Sequence, residues 1–281
     1  MSPTSDPAAV PAPGAGAAGG RLIALTRPVS ANMAACELTH VRREPIDIER
    51  ARTQHAAYAR ALAEVGCRMV EVPGADHLPD AVFVEDTALV LDEVAIVTRP
   101  GAESRRAETA AVAQELARHR TVEQMPGPAT LDGGDVLRIG RTLYVGTSGR
   151  TSDAGVSWLR ETVAPFGYRV VALQPTGCLH LKTAVTAIAP DLLLVNPRWI
   201  DPSSFERMRY VETAQDEPFA ANALLIGERV IYPAAFERTA RRLREAGIDV
   251  LPVDASELAK AEGGVTCCSI VFDAAGGQVA G

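Results

Sequence analysis

The sequence predicts an α/β protein made of five β-β-α-β modules closed into a ring around a central axis. Three observations predict it. A polar anchor followed by two apolar runs across a short turn recurs along the chain. The recurrence keeps a nearly constant step. The last copy is cut short, while an unmatched strand pattern stands at the opposite end of the chain. Two apolar runs across a short turn read as a β-hairpin, and a fixed step marks a repeat architecture rather than two unrelated domains.

The anchors are Glu85 before DTALVLDEVAIV, Asp132 before GGDVLRIGRTLYV, His180 before LKTAVTAIAPDLLLV, Asn222 before ALLIGERVIY and Cys267 before CSIVF, spaced by 47, 48, 42 and 45 residues. From the N-terminus, residues 1–20 are rich in Ala, Pro and Gly and have neither the basic start nor the apolar stretch of a signal peptide, so they read as a disordered tail. RLIALT at 21–26 is a strand pattern, followed by a helical stretch at 46–65 and the β-rich run CRMVEV. After the complete hairpins, helical character appears at 103–118, 151–164 and 236–246, and more weakly at 203–213. Short β-rich runs (TVEQM, YRVVAL, IDVLPV) then lead to later anchors. The truncated hairpin at Cys267 lacks a second strand, and RLIALT supplies it. Such a closure removes free sheet edges. Residues 21–272 are therefore expected to form one catalytic domain, with 273–281 as a C-terminal tail.

Composition narrows the function. The 281 residues carry 35 acidic against 28 basic side chains, a net charge of -7, with no basic stripe for nucleic acid. No run approaches the roughly 18 to 20 apolar residues of a membrane helix. The five cysteines (Cys36, Cys67, Cys178, Cys267, Cys268) have no C-x-x-C spacing, which argues against a disulfide framework or a structural zinc site and fits a reducing cytoplasm.

Equivalent positions of a pseudo-symmetric ring point the same way, so Glu85, Asp132, His180, Asn222 and Cys267 are expected to converge. A carboxylate, an imidazole and a thiol meeting from different modules supply the orienting group, base and nucleophile of covalent catalysis. Cys267 and Cys268 adjoin in a probable strand, where successive side chains face opposite sides, so only one of them faces the axis. The repeat phase selects Cys267. The glycines of Asp132-Gly133-Gly134-Asp135 permit close backbone approach.

The motifs PDAVFVEDTALV (79–90), TRPGAESRR (98–106), LDGGDVL (131–137), LHLKTAV (179–185) and EGGVTCCSIVF (262–272) resemble those of the dimethylarginine dimethylaminohydrolases, in order and over residues 21 to 272. The resemblance implies the five-bladed α/β-propeller, or pentein, fold of the guanidine-modifying superfamily. It implies Cys267 as nucleophile, His180 as acid and base, and Asp132 as the carboxylate that holds the imidazole. Asp80, Glu85 and Asp86 match substrate-binding positions, with Asp86 the foremost for the guanidinium, and Arg105 and Arg150 match the pair that takes the α-carboxylate. Met33 matches an apolar lid position, and Ala261 one that contributes through its backbone.

The expected reaction is hydrolysis of Nω,Nω-dimethyl-L-arginine and Nω-methyl-L-arginine to L-citrulline and an amine through a covalent thiouronium, with no cofactor and no metal. A Cys and a His in one pocket would bind zinc only as an inhibitor. The arginine and agmatine deiminases resemble one another in an acid two positions after the catalytic His, where this chain has Lys182; its absence leaves room for N-methyl groups. The alternatives are an arginine deiminase-type hydrolase of an unmethylated guanidine, and a non-catalytic amino-acid-binding ring. The expected partner is a small molecule, with no nucleic acid and no membrane, for a monomer or homodimer.

Overall fold

The computed structural model describes residues 22–274. The expected tail at 1–20 lies outside the described residues, as do residues 275–281.

In chain order the elements are β1 (Leu22–Thr26), α1 (Ile48–Glu64) and β2 (Arg68–Glu71), then β3 (Ala88–Val90), β4 (Val94–Val97), α2 (Thr109–Leu116) and β5 (Thr121–Gln124). Next come β6 (Val136–Ile139), β7 (Thr142–Gly146), α3 (Asp153–Val163) and β8 (Arg169–Leu173), followed by a single turn, α4 (Leu181–Ala184), β9 (Val185–Ala189), β10 (Leu192–Val195) and β11 (Arg209–Glu212). The chain continues through β12 (Leu224–Ile226), β13 (Arg229–Pro233), α5 (Glu237–Glu245) and β14 (Asp249–Val253), and ends with the short α6 (Ser256–Ala259) and β15 (Ile270–Asp273).

These strands make five three-stranded sheets: β3-β4-β5, β6-β7-β8, β9-β10-β11, β12-β13-β14 and β15-β1-β2. In each, an antiparallel pair is extended by a parallel third strand. The fifth sheet joins the two ends of the described chain, with Leu22 opposite Asp273 and Leu25 opposite Ile270. Leu22–Thr26 of RLIALT is thus the missing partner of the last hairpin, and Asp273, expected in the C-terminal tail, closes a strand.

The burial pattern follows from this order. Middle strands β4 and β10 are buried throughout, since each has a neighbour on both sides and helices or sheets over both faces, and they read as unbroken apolar runs (VAIV, LLLV). Third strands β2, β5 and β11 are exposed edges bearing Arg68, Glu123 and Arg209, charges that discourage edge pairing. Helix α1 starts where the Asp47 carboxylate accepts the Arg50 N–H, and buries the stripe Ala51, His55, Tyr58 and Leu62.

Neighbouring sheets touch in chain order, β15 against β3, β6 against β9 and β9 against β12, while α1 packs on β14. The inner strands of all five border one cavity, through Ala88, Val136, Ala187, Leu225 and Ile270. The arrangement is propeller-like.

One expected helix is absent. Residues 203–213 hold a single 3-10 turn (Pro202–Ser204), capped by Asp201 on the Ser203 N–H, and then strand β11. Phe205, Met208 and Val211 recur at helical spacing, but Arg207 holds φ at 59°, a left-handed conformation that no α-helix contains, and Tyr210 and Val211 favour a strand. Among the described residues no helix is long and apolar enough to cross a membrane.

Candidate active site

The anchors sit on single helical turns leading into the inner strands. Glu85 and Asp86 lie in the turn Val84–Thr87, Asp132 precedes the turn Gly133–Asp135, and His180 precedes α4. Cys267 and Cys268 also lie in a turn, where the Cys267 N–H donates to Gly264 O, rather than in the expected strand; β15 begins only at Ile270. The turn still separates the two thiols. Cys267 is partly accessible, whereas Cys268 is buried and its thiol donates to Gly264 O.

A small cavity gathers Asp80, Asp86, Arg105, Arg150, His180, Ala261 and Cys267. Asp132 is fully buried behind His180: its Oδ2 lies 3.0 Å from Nε2 of the imidazole, and its Oδ1 accepts the Gly101 N–H at 2.8 Å. Nδ1 of His180 lies 3.8 Å from Asp86 Oδ1. Burial works against the imidazolium, but Asp86, the hydrogen bond to Asp132, and Asp135 outweigh it and raise His180 to about 9. Asp86 is likewise opposed by burial, and His180, Arg105 and the Gly134 N–H together hold its carboxyl well below the usual range. The resting pair is therefore imidazolium and carboxylate.

The Cys267 thiol is pushed up to about 12, first by burial and then by Glu85 and Asp86, against the Gly264 N–H, which donates to Sγ at 3.2 Å, and Lys182. It is protonated at neutral pH. Burial also raises Asp80, whose Oδ2 accepts the Glu37 N–H at 3.1 Å.

Arg105 is buried and bonded to Asp86 (2.6 Å), Glu108 (2.9 Å) and Phe83 O (3.0 Å). Through Nε, Nη1 and both Nη2 hydrogens these bonds occupy four of its five donors, leaving one Nη1 hydrogen for a ligand. Arg150 is less enclosed, with Nη2 on Thr39 Oγ1 at 3.1 Å.

Three expectations change. Glu85 does not border this cavity: its carboxylate accepts from Lys182 Nζ (2.6 Å) and Thr266 Oγ1 (2.7 Å), and it borders the cavity between the inner strands instead. Met33 is fully buried in the apolar cluster of Val82, Phe83 and Leu258, since an unbranched thioether fills core space better than it covers a polar pocket. Asn222 likewise stays off the cavity and ties Thr266, through Nδ2 to Oγ1 (3.0 Å) and through the Thr266 N–H to Oδ1 (3.1 Å), which fixes the turn that carries Cys267.

Sequence reasoning missed Glu108, Asp135 and Lys182 as parts of the site. Glu108 had a signal, since it lies three residues after Arg105 on one helical face. Asp135 accepts from Ser148, Thr151 and the Leu181 N–H, so it anchors the turn after His180. Among the described residues, Asp86, Asp132 and His180 form the group with donor atoms close enough for a metal ion. An ion there would have to displace Arg105 from Asp86 and a proton from the imidazole.

A second cavity, largely apolar, meets the first along Leu179, Glu262, Gly263 and Cys267, and is walled by Val41, Phe219, Pro233 and Phe236.

The family model described as "N,N dimethylarginine dimethylhydrolase, eukaryotic" matches residues 29–272. The N(G),N(G)-dimethylarginine dimethylaminohydrolase of Streptomyces coelicolor is 46% identical over 250 residues, 88% of this chain and 95% of the relative. That of Pseudomonas aeruginosa is 35% identical over 228 residues, 80% of this chain and 90% of the relative. A solved structure of the Pseudomonas aeruginosa protein, a Cys-to-Ser mutant complexed with citrulline, superposes with a TM-score of 0.85 at 33% identity, covering 89% of this chain and 98% of that one. The N-terminal domain of ArgZ, an arginine dihydrolase from cyanobacteria, shares the fold with a TM-score of 0.80 at 22% identity, over 89% and 97% of the two chains.

Proposed function

The chain belongs to the dimethylarginine dimethylaminohydrolase family, and from that premise we propose that the cavity between Cys267 and His180 is where it hydrolyses Nω,Nω-dimethyl-L-arginine and Nω-methyl-L-arginine to L-citrulline and dimethylamine or methylamine. The observation that carries this reading is one cavity holding a thiol, an imidazolium backed by a buried carboxylate, and a separate ionised carboxylate fit for a guanidinium. The site sits at one end of the propeller-like array, which we take to be a closed, pseudo-symmetric five-bladed propeller. The five free cysteines support a reducing, cytoplasmic setting.

Asp86 receives the guanidinium, and Asp80 and the backbone at Ala261 face the amino-acid end. Arg150 and the remaining donor of Arg105 take the α-carboxylate. In the free protein the thiol holds its proton. A guanidinium docked on Asp86 offsets the negative field that keeps the thiol protonated, so the proton leaves to water as substrate binds. Sulfur then attacks the guanidinium carbon and a C–S bond forms. His180 gives its proton to the methylated nitrogen, the C–N bond breaks and the amine departs. Neutral His180 next takes one proton from water, whose oxygen attacks the thiouronium carbon; the C–S bond breaks, the remaining hydroxyl proton passes to the released sulfur, which restores the resting thiol, and citrulline leaves. Asp132 keeps the imidazole oriented and charged.

Lys182 supports the choice of methylated substrate. It stands where a second acid would flank the guanidinium, and it bends away onto Glu85. An acid at that place would be left unpaired against N-methyl groups.

Purified protein assayed on arginine, monomethylarginine, dimethylarginine and agmatine is expected to release citrulline from the two methylated amino acids, and nothing from agmatine, which has no carboxylate for Arg150. Ready release from arginine but from neither methylated substrate would overturn the choice. Cys267→Ser abolishes turnover, and Cys268→Ser largely preserves it.

A further inference from the structure

Glu262 is used by neither the chemistry nor the substrate contacts above, yet it lies between Ala261 and the turn of Cys267 and borders both cavities. Its carboxylate accepts three successive backbone N–H groups from far along the chain. Oε2 takes that of Thr39 at 2.7 Å, and Oε1 takes those of His40 and of Val41 (2.9 Å). Consecutive amides aimed at one carboxylate form an anion nest, and charge-assisted bonds are roughly twice as strong as neutral ones. Glu262 also holds φ at 59°, a left-handed conformation that a residue with a Cβ keeps only where its surroundings impose it.

The segment gripped in this way is pinned elsewhere by two residues of the amino-acid cavity, Asp80 and Arg150, and by Ser104 outside it. Asp80 accepts the Glu37 N–H, Arg150 donates to Thr39 Oγ1 at 3.1 Å, and Ser104 donates to Glu37 Oε1 at 2.6 Å. Glu37 borders the amino-acid cavity, and His40 and Val41 border the apolar one. Residues 37–41 therefore form a strap across both.

We propose that Glu262 is a positioning residue, a latch whose carboxylate holds the strap down and through it fixes Asp80 and Arg150 for the substrate's amino-acid end. It acts through these residues and touches no reacting atom. The kinetic part of this inference rests on the methylarginine reading; the structural part does not.

The strap runs straight into Arg42 and Arg43, both exposed, which makes its hold readable by trypsin. Wild-type, Glu262→Gln and Glu262→Asp proteins are digested briefly without substrate and the fragments weighed. Gln loses the charge and turns an NH2 toward donors, while Asp keeps the charge but draws it back by one carbon. Cleavage at Arg42 and Arg43 is expected to accelerate at least about tenfold in Glu262→Gln and by an intermediate factor in Glu262→Asp. With dimethylarginine, KM is expected to rise about tenfold in Glu262→Gln while kcat stays within about threefold, a split that general loosening of the fold would not give. Should Glu262→Gln fail to fold, Glu262→Asp decides alone. Wild-type cleavage rates together with unchanged KM overturn the latch. Accelerated cleavage in an enzyme whose wild type turns over no methylarginine upholds the latch and overturns the substrate reading instead.

Discussion

Two buried histidines of this protein have opposite electrostatics, because acids act on one and burial alone acts on the other. His180 is raised to about 9 despite burial. His55, on α1, has no hydrogen-bond partner at Nε2, and burial lowers it to about 4. The signs follow from linkage. The His180 contribution to stability is fully present below the unfolded pKa near 6.5 and is lost as pH rises through about 9. The His55 contribution is present above about 6.5 and is lost as pH falls through about 4, since the unfolded chain then takes up a proton that the folded one refuses. Each shift is worth about 3 kcal/mol at 1.36 kcal/mol per pKa unit. Asp135, pushed up to about 6 chiefly by burial, works against His55 over the same acid interval, so the diagnostic quantity is the difference between wild type and His55→Leu. Urea unfolding at pH 4.5, 6.5 and 9.5 is expected to show the variant gaining on wild type by about 2 to 3 kcal/mol between pH 6.5 and 4.5, with parallel alkaline limbs. Parallel acid limbs would mean that His55 is not the group that titrates there.

At the scale of the element, the site depends on how closely one turn can approach its neighbours. A Cβ on Gly134 would lie 2.6 Å from His180 Nδ1 and 2.8 Å from Asp86 Oδ1, and one on Gly133 would lie 2.0 Å from Glu85 O. Gly134→Ala is therefore expected to push the imidazole and the Asp86 carboxylate apart. The cost is roughly 1–3 kcal/mol of stability and on the order of 100-fold in kcat, read by urea titration and citrulline release. A variant with wild-type kcat would show that the turn has slack. Much of this element was legible in the sequence, because a polar residue and two glycines ahead of an alternating apolar run mark a tight entry into a strand. The phase of the repeat could tell that Glu85 approaches the axis, and the family resemblance added Asp86, but neither told toward which end each side chain points, since neighbours on a 3-10 turn diverge by about 120°. Hence Glu85 went to Lys182 while Asp86 met the imidazole. The crossover at 203–213 reads as a helix because Phe205, Met208 and Val211 recur at helical spacing, and only the left-handed Arg207 and the pairing with β10 decide for the strand.

At the scale of the whole molecule, the repeat was visible because every module must bury its middle strand, whatever its loops do. The ends meet for the same reason. β15 and β1 together reproduce the antiparallel pair that one continuous hairpin makes in each other sheet, with Leu22 opposite Asp273. In the β12–β13 hairpin that connection is Gly227-Glu228, between Ile226 and Arg229, with Gly227 at φ +60°. Placing Asn-Gly between Asp273 and Leu22 should make the same kind of two-residue turn, and the chain can then be opened at the exposed Gly227-Glu228. This circular permutant keeps every strand pairing, replaces residues 1–21 and 274–281 with the linker and moves the break in the chain. It is expected to unfold cooperatively and to release citrulline within about tenfold of the wild-type rate, because permutation is tolerated where exposed ends lie close together. If the linked chain fails to fold while the same linker and the same opening are each tolerated alone, the order in which the modules are connected matters as much as their contacts, and the fivefold pattern is not a sufficient description of what holds Cys267 beside His180.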